Sequence, residues 1–191
     1  MIINRVIDEE IIRILHNGGV GVLATDTLYG LVGSALSKKA VRRIYQVRQK
    51  NPKKPMIILI SSLKDLNLFN IKINNRLRKL LTKFWPGKVS IILKCPSQKF
   101  SYLHRGTKTL AFRLPNKKDL VNLIKKVGPL VAPSANLSGL PPAYTIKEAK
   151  KYFGKKVDFY VDAGKLFRRP STLIKIKNNK MIVLRKGAVK L

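Results

Sequence analysis

The sequence predicts a single α/β domain in which helices cover a twisted mixed sheet. Three observations predict it. Helical and extended hydrophobic patterns alternate from one end of the chain to the other. No internal repeat and no low-complexity linker divides residues 1–191. With 191 residues, 45% of them hydrophobic, the chain can bury roughly 70% of the surface its unfolded form exposes, so one core suffices without disulfide staples.

Asp8 is placed to cap a helix over EEIIRILHN, where Ile11, Ile12, Ile14 and Leu15 recur at helical spacing and Gly18-Gly19 supplies the stop. VGVLAT then reads as a buried strand and GLVGSAL as a second one after a tight turn. Ser37 opens a basic helix with Ala40, Val41, Ile44 and Val47 inward, and Pro52 and Pro55 bracket its exit before the strand MIILIS. Two helical stretches follow, the second being NNRLRKLLTKFW, closed by Pro86-Gly87. KVSIILKC and TLAFRLP read as strands, with Asn116 expected to cap the helix KKDLVNLIKKV. LVAPSA is a short strand running into a Ser/Asn/Gly/Pro loop. Thr145 with Glu148 forms a capping box for the helix through Phe153. VDFYVDA, STLIKIK and KMIVLRKG are strands, the last two joined by a hairpin turn at Asn178-Asn179.

Forty Lys and Arg against nine Asp and Glu give a net charge of +31, which favours polyanionic partners. Twenty-eight Lys with nineteen Ile and twelve Asn is also the usage of a genome rich in A and T, so the charge supports nucleic-acid contact without establishing it. Nine acids are too few for a carboxylate-rich metal cage, and two histidines exclude a three-histidine zinc site. Cys95 is the single cysteine and has no partner for an internal bridge. No apolar run approaches the roughly 18 residues that span a bilayer, and the acids of MIINRVIDEE interrupt any secretory signal, so the expected compartment is the cytoplasm. Gly19-Val-Gly21-Val-Leu-Ala24 matches a dinucleotide fingerprint letter by letter but lies between a helix and a strand, the reverse of what pyrophosphate binding needs. There is no P-loop. His16 suits a helix carboxyl terminus, and His104, in a basic loop, has no GxSxG elbow to serve.

Four polar constellations at strand ends remain. Thr25-Asp26-Thr27-Leu28-Tyr29-Gly30 puts two hydroxyls and an acid in a loop after a buried strand; alone it reads as a turn. Arg48, Lys50, Lys53 and Lys54 crowd a proline-stiffened segment that can clamp a polyphosphate or be a solvated charge run. Ser134-Ala135-Asn136-Leu137-Ser138-Gly139 ends a strand in donors, acceptors and a flexible glycine. Thr109 and Arg113, four apart on one strand, share a face.

Taken in order, TDTxYGL at Thr25 to Leu31, the basic turn ending Lys54-Pro55, LAFRLP, SANxSG at Ser134 to Gly139, Ser171-Thr172 and Leu184-Arg185-Lys186-Gly187 resemble the YrdC/Sua5 family of threonylcarbamoyl-adenylate synthases, in its short single-domain form. The resemblance implies a twisted sheet around a basic concave cavity and a reaction of L-threonine, bicarbonate and ATP. Threonine's amine takes up carbon dioxide as a carbamate, which attacks the α-phosphate, releasing pyrophosphate and leaving threonylcarbamoyl-AMP. A separate transferase system then delivers the group to adenosine 37 of tRNA. By motif position, Thr27, Arg113, Ser134 and Ser171 would hold threonine or its carbamate, and Lys50, Lys54, Thr109, Asn136, Tyr144 and Arg185 would hold ATP. Catalysis would rest on positioning and charge stabilisation with no covalent nucleophile. Mg²⁺ would travel with ATP, Asp26 being the only acid nearby in sequence.

The chain departs from the family where Arg48-Gln49-Lys50-Asn51 replaces the usual Lys-x-Arg-Pro, which exchanges two cations and removes a forked grip at position 50. Ala24 replaces a proline, and Leu59 a histidine that many members place near threonine. The alternative reading is a non-catalytic protein of the same fold that binds tRNA or other double-stranded RNA; the joint presence of Thr27, Ser134, Asn136, Ser171 and Arg185 favours the enzyme. A third is a carbamoyl-transfer relative acting on another acceptor, a kind of domain that normally sits inside much larger chains.

Overall fold

The computed structural model describes residues 2–49, 55–166, 169–177 and 180–191. Its strands are β1 (Ile2–Asn4), β2 (Val20–Ala24), β3 (Tyr29–Ser34), β4 (Ile57–Leu59), β5 (Val89–Lys94), β6 (Thr109–Arg113), β7 (Leu130–Val131), β8 (Phe159–Val161), β9 (Thr172–Lys177) and β10 (Lys180–Arg185). The α-helices are α1 (Glu9–His16), α2 (Lys38–Val47), α3 (Asn75–Thr82), α4 (Ser101–His104), α5 (Lys118–Val127) and α6 (Ile146–Phe153). The ten strands form one sheet in the order β1-β8-β2-β3-β7-β4-β6-β5-β9-β10. It is mixed as expected: β4 runs parallel to β6 and β5 to β9, whereas β2 and β3 pair antiparallel.

Local signals produced most of these elements. Asp8 accepts the Ile11 amide at 3.0 Å, Ser37 that of Ala40 at 3.2 Å and Thr145 that of Glu148 at 3.2 Å, so each supplies an acceptor for an orphan amide at its helix start. The cap of α5 differs from expectation. Lys117, not Asn116, occupies the N-cap, and since an ammonium has no lone pair to accept an amide no side-chain cap bond forms; it donates across to the Ala24 carbonyl at 2.8 Å. The first of the two helical stretches after β4 is a 3₁₀ segment, Leu63–Phe69. β9 and β10 pair antiparallel, while Asn178 and Asn179 lie outside the described residues. The false dinucleotide fingerprint has a packing cause. A Cβ on Gly21 would stand 2.5 Å from the Phe159 ring and one on Gly19 2.4 Å from the Ile14 side chain, so both glycines permit close approach of neighbouring elements.

Two apolar layers sandwich the sheet. On one face α1 and α5 bury Ile11, Leu15, Leu120 and Ile124 against Leu23, Val32, Leu59 and Phe159. On the other, α2, α6 and the 3₁₀ segment bury Val41, Ile44, Phe69 and Phe153 against Val22, Leu31, Ile58 and Phe112. The α1/α5 layer leaves part of its face open. The registers Ile57↔Ala111, Leu59↔Arg113 and Ile92↔Ala111 put Ala111 and Arg113 on the same side as Leu59, and there the sheet floors a cavity instead of a helix interface.

Asp158, just before β8, ties three elements together. Its carboxylate accepts the Val20 amide at 2.8 Å and both terminal nitrogens of Arg43 from α2, at 2.6 and 2.8 Å. The Arg43 bonds, helped by the Val20 amide, outweigh burial and hold the carboxyl below its ordinary 3.8. A depressed carboxyl stabilises the fold above its unfolded value and loses that contribution as pH falls through the lower folded one. Asp158→Asn is therefore expected to cost about 1 to 2 kcal/mol in urea denaturation at pH 7, discounted for partial exposure, and nothing once Asp158 is protonated.

Candidate active site

The open stretch of sheet and the loops above it enclose a cavity of about 490 Å³. β6 supplies Thr109, Ala111 and Arg113 to it, β5 Ile92 and β9 Leu173, while the loops after β2 and β7 supply Thr27, Ser134 and Asn136. Three guanidinium groups line it, those of Arg48, Arg113 and Arg185, and no Asp or Glu does among the described residues. Seven of the ten residues expected to bind substrate converge here: Thr27, Thr109, Arg113, Ser134, Asn136, Ser171 and Arg185. Tyr144 is not among the lining residues. Its amide, one residue before the Thr145 N-cap of α6, donates to the Glu148 carboxylate at 2.7 Å. Lys50 and Lys54 lie outside the described residues, whereas Arg48 and Pro55, on either side of that segment, both line the cavity.

The Thr25–Leu28 turn is held by Thr25. Its hydroxyl donates to the Leu28 carbonyl at 2.7 Å and accepts the amides of Thr27 and Leu28 at 3.1 and 3.2 Å. Thr27 is thereby carried on a rigid turn, so one motif both makes a turn and lines the cavity. Tyr29 of the same motif is structural: its hydroxyl donates to the Gly164 carbonyl at 2.7 Å and accepts the Ala163 amide at 2.9 Å. Asp26 is buried and paired with Arg113 at 3.0 Å, their side chains 2% and 4% exposed. Burial lowers the affinity of the Arg113 guanidinium for its proton, Asp26 opposes this, and the nearby Arg185 charge adds to it. Arg113 Nε is buried with no hydrogen-bond partner among the described residues.

Arg48 is the residue that sequence reasoning underrated. Read as one cation of an exposed run, it is 7% exposed and built into the SANxSG loop. Its Nε donates to the Asn136 carbonyl and a terminal nitrogen to Asn136 Oδ1, both at 3.0 Å, while its own carbonyl accepts the Ser138 amide at 2.9 Å. Burial pulls its guanidinium down to about 10 against the opposing effect of Tyr45, so it remains charged at neutral pH. The signal was present: Val41, Ile44, Tyr45 and Arg48 fall at helical spacing on the buried side of α2 and its C-cap. Asn136 in turn accepts the Ser134 hydroxyl at 2.6 Å and donates to the carbonyls of Leu137 and Leu140 at 2.8 and 2.7 Å.

At the other wall Ser171 shares a hydroxyl–hydroxyl bond of 2.8 Å with Ser90, a buried partner that the sequence did not single out. Arg185 donates to the Ser171 carbonyl at 2.8 Å and to its hydroxyl at 3.1 Å. Gly187 completes the LRKG motif by close approach, since a Cβ there would stand 2.3 Å from the Pro170 carbonyl oxygen. His104, expected in a loop, is buried at the end of α4, where Nδ1 accepts the Gly106 amide at 3.2 Å, and does not line the cavity. Leu59 is fully buried in the α1/α5 layer and does not line the cavity either. No group of three or more His, Cys, Asp or Glu side chains is placed to hold a metal ion among the described residues.

This combination of motifs and fold has known counterparts. A sequence profile of the Sua5/YciO/YrdC family, described as telomere recombination, matches residues 13–187. The chain belongs to that family. Among curated members it is 30% identical over 174 residues to the threonylcarbamoyl-AMP synthase of Buchnera aphidicola, covering 88% of this chain and 98% of the relative. It is also 30% identical over 179 residues to that of Pyrococcus abyssi, covering 93% of this chain but only 53% of the relative. The crystal structure of P. abyssi Sua5 complexed with L-threonine superimposes with a TM-score of 0.87 at 30% identity, over 98% of this chain and 58% of that one. Escherichia coli YciO matches with a TM-score of 0.83 at 25% identity, over 99% and 95% of the two chains. This Sua5/YciO/YrdC chain thus spans little more than half of the archaeal Sua5 and nearly all of YciO. None of its described helices is long and apolar enough to cross a membrane.

Proposed function

We propose that this protein is an L-threonylcarbamoyladenylate synthase, a nucleotidyltransferase joining L-threonine, bicarbonate and ATP into threonylcarbamoyl-AMP and pyrophosphate for tRNA modification at adenosine 37. The convergence of Thr27, Arg113, Ser134, Asn136, Ser171 and Arg185 on one cavity carries this reading. Relatives named threonylcarbamoyl-AMP synthase, and a related Sua5 complexed with L-threonine, support it.

In this reading Arg113, with Thr27, Ser134 and Ser171, holds the carboxylate and hydroxyl of threonine and then the carbamate that forms when its nitrogen attacks carbon dioxide, which bicarbonate yields on taking up a proton and losing water, and itself loses a proton. A carbamate oxygen attacks the α-phosphorus and the bond to the β-phosphate oxygen breaks, so pyrophosphate leaves with the electron pair. Arg185, Thr109 and Asn136, with Lys50 and Lys54, hold ATP; Tyr144, which does not line the cavity, is left out of this set. Guanidinium groups that already stand in a partly desolvated cavity stabilise phosphate charge without reorganising. Asp26 is engaged by Arg113, and among the described residues no carboxylate lines the cavity, so no ligand set for Mg²⁺ is assigned. Any Mg²⁺ would be carried by the triphosphate, and no step is assigned to it.

Incubation with ATP, labelled bicarbonate and threonine is expected to give a labelled AMP-linked product and pyrophosphate. Serine is expected to be poorer by about 1 to 3 kcal/mol in kcat/KM, the value of one sensed methyl. Threonine-dependent ADP would overturn the reading. The charge of +31 supports a second expectation, that tRNA or double-stranded RNA binds through its phosphates, with an affinity that falls steeply between two salt concentrations in filter binding and little sequence preference. Strong binding insensitive to salt would contradict that account. Activity in a cytoplasmic compartment, upstream of a threonylcarbamoyl-transferring system, completes the proposal.

A further inference from the structure

A second cavity, of about 520 Å³, begins one residue away from the first: Ala24 lines it, whereas Thr25 and Thr27 line the other. Its floor is apolar, built from Ile12, Leu23 and Leu123, and its rim carries the cations Arg5, Lys117 and Lys126 against one acid, Asp119. None of these residues belongs to the chemistry proposed above. Cations outnumber acids among its lining residues. Lys126 is paired with Glu9 at 2.6 Å, but those side chains are 56% and 81% exposed, so the pair yields to a competing anion at little cost. Lys117, half-buried, donates to the neutral Ala24 carbonyl.

The walls of this cavity are also walls of the first site. The Ala24 carbonyl that Lys117 holds closes β2 directly before the Thr25–Leu28 turn. Ala163, which lines the second cavity, donates its amide to the hydroxyl of Tyr29, which lines the first. We propose that the second cavity binds a small anion carried on an apolar body, a carboxylate or a phosphate ester, and that its occupancy is felt by the Thr25–Leu28 turn through Lys117. The head group adds a charged acceptor to the Lys117 ammonium, loosening its hold on Ala24, while the apolar body covers the floor.

The test uses the full chain and three probes, hexanoate, hexyl phosphate and inorganic phosphate, titrated at millimolar concentration with amide NMR, with and without ATP. One of the two amphiphiles is expected to shift the amides of Ala24 and of Thr25 to Leu28. ATP should not displace it, and Lys117→Met should weaken it about tenfold or more, the loss of one charge-assisted contact. Arg5→Met, on an exposed segment, gives the same reading independently of α5 and should also weaken binding. Hexyl phosphate binding the tighter of the two assigns the site to phosphate esters, and hexanoate the tighter to carboxylates. No shift with either amphiphile, displacement by ATP, indifference to both substitutions, or inorganic phosphate binding as well as hexyl phosphate would each overturn the proposal. None of these readouts depends on the proposed synthase activity.

Discussion

Arg113→Leu is expected to lose threonine-dependent activity and about 3 to 5 kcal/mol of stability together. The stability loss comes from Asp26, whose carboxylate is 2% exposed and would be left in the interior without its cation. Removing both charges separates the two effects. Asp26→Leu with Arg113→Leu should recover most of the stability, because a buried pair replaced by apolar side chains is often neutral or better, while activity stays absent because the anion-binding group is gone. Urea denaturation of the two variants beside the threonine-dependent assay checks this. A double variant as unstable as the single one would show that the charges do not depend on one another.

The second large effect is expected at Arg48, whose place in the structure gives it a role that motif register alone does not. If Lys50 carries the principal phosphate contact, Lys50→Ala should lower efficiency by about ten- to a hundredfold, one charge-assisted bond, and Lys50→Arg should keep activity. Taken alone, that register makes Arg48→Ala the milder change. Arg48, however, grips Asn136 at both its carbonyl and its side-chain oxygen, and Asn136 accepts the Ser134 hydroxyl. Truncation therefore releases a loop that carries two site residues, and a displacement of about 1 Å at a reacting centre can cost a hundredfold. Arg48→Ala is expected to lower kcat/KM for ATP by about a hundredfold or more and to cost about 2 to 4 kcal/mol of stability. Arg48→Lys should recover only part of either, since one ammonium does not fork across two oxygens. Steady-state kinetics with chemical denaturation decide it, and full activity with unchanged ATP dependence in Arg48→Ala would refute the positioning role.

Most of the fold was legible because its signals are local. A cap needs one acceptor within a turn of the orphan amide, and Asp8, Ser37 and Thr145 each provide one. Asn116 shows the limit: the N-cap of α5 is Lys117, whose ammonium donates to a carbonyl ninety-three positions earlier, that of Ala24, a contact no local pattern records. His104, read as a loop residue, is buried at the end of the short helix α4.

What the sequence by itself determined is the alternation of strands and helices, most helix starts, the charge, and the set of polar motifs that converge on a cavity. These follow from periodicity, from caps, and from side-chain types that have few other uses at strand ends. Only the tertiary structure decided which strands run side by side, that the cavity occupies the part of one sheet face left open by α1 and α5, and that Arg48 and Asp26 are buried partners of residues that line it. The physical reason is range. Periodicity and capping act within a few residues, whereas the Asp26–Arg113 pair and the Arg48–Asn136 grip join positions 87 and 88 apart, whose charges are tolerated in the interior only once the sheet has brought them within hydrogen-bond distance.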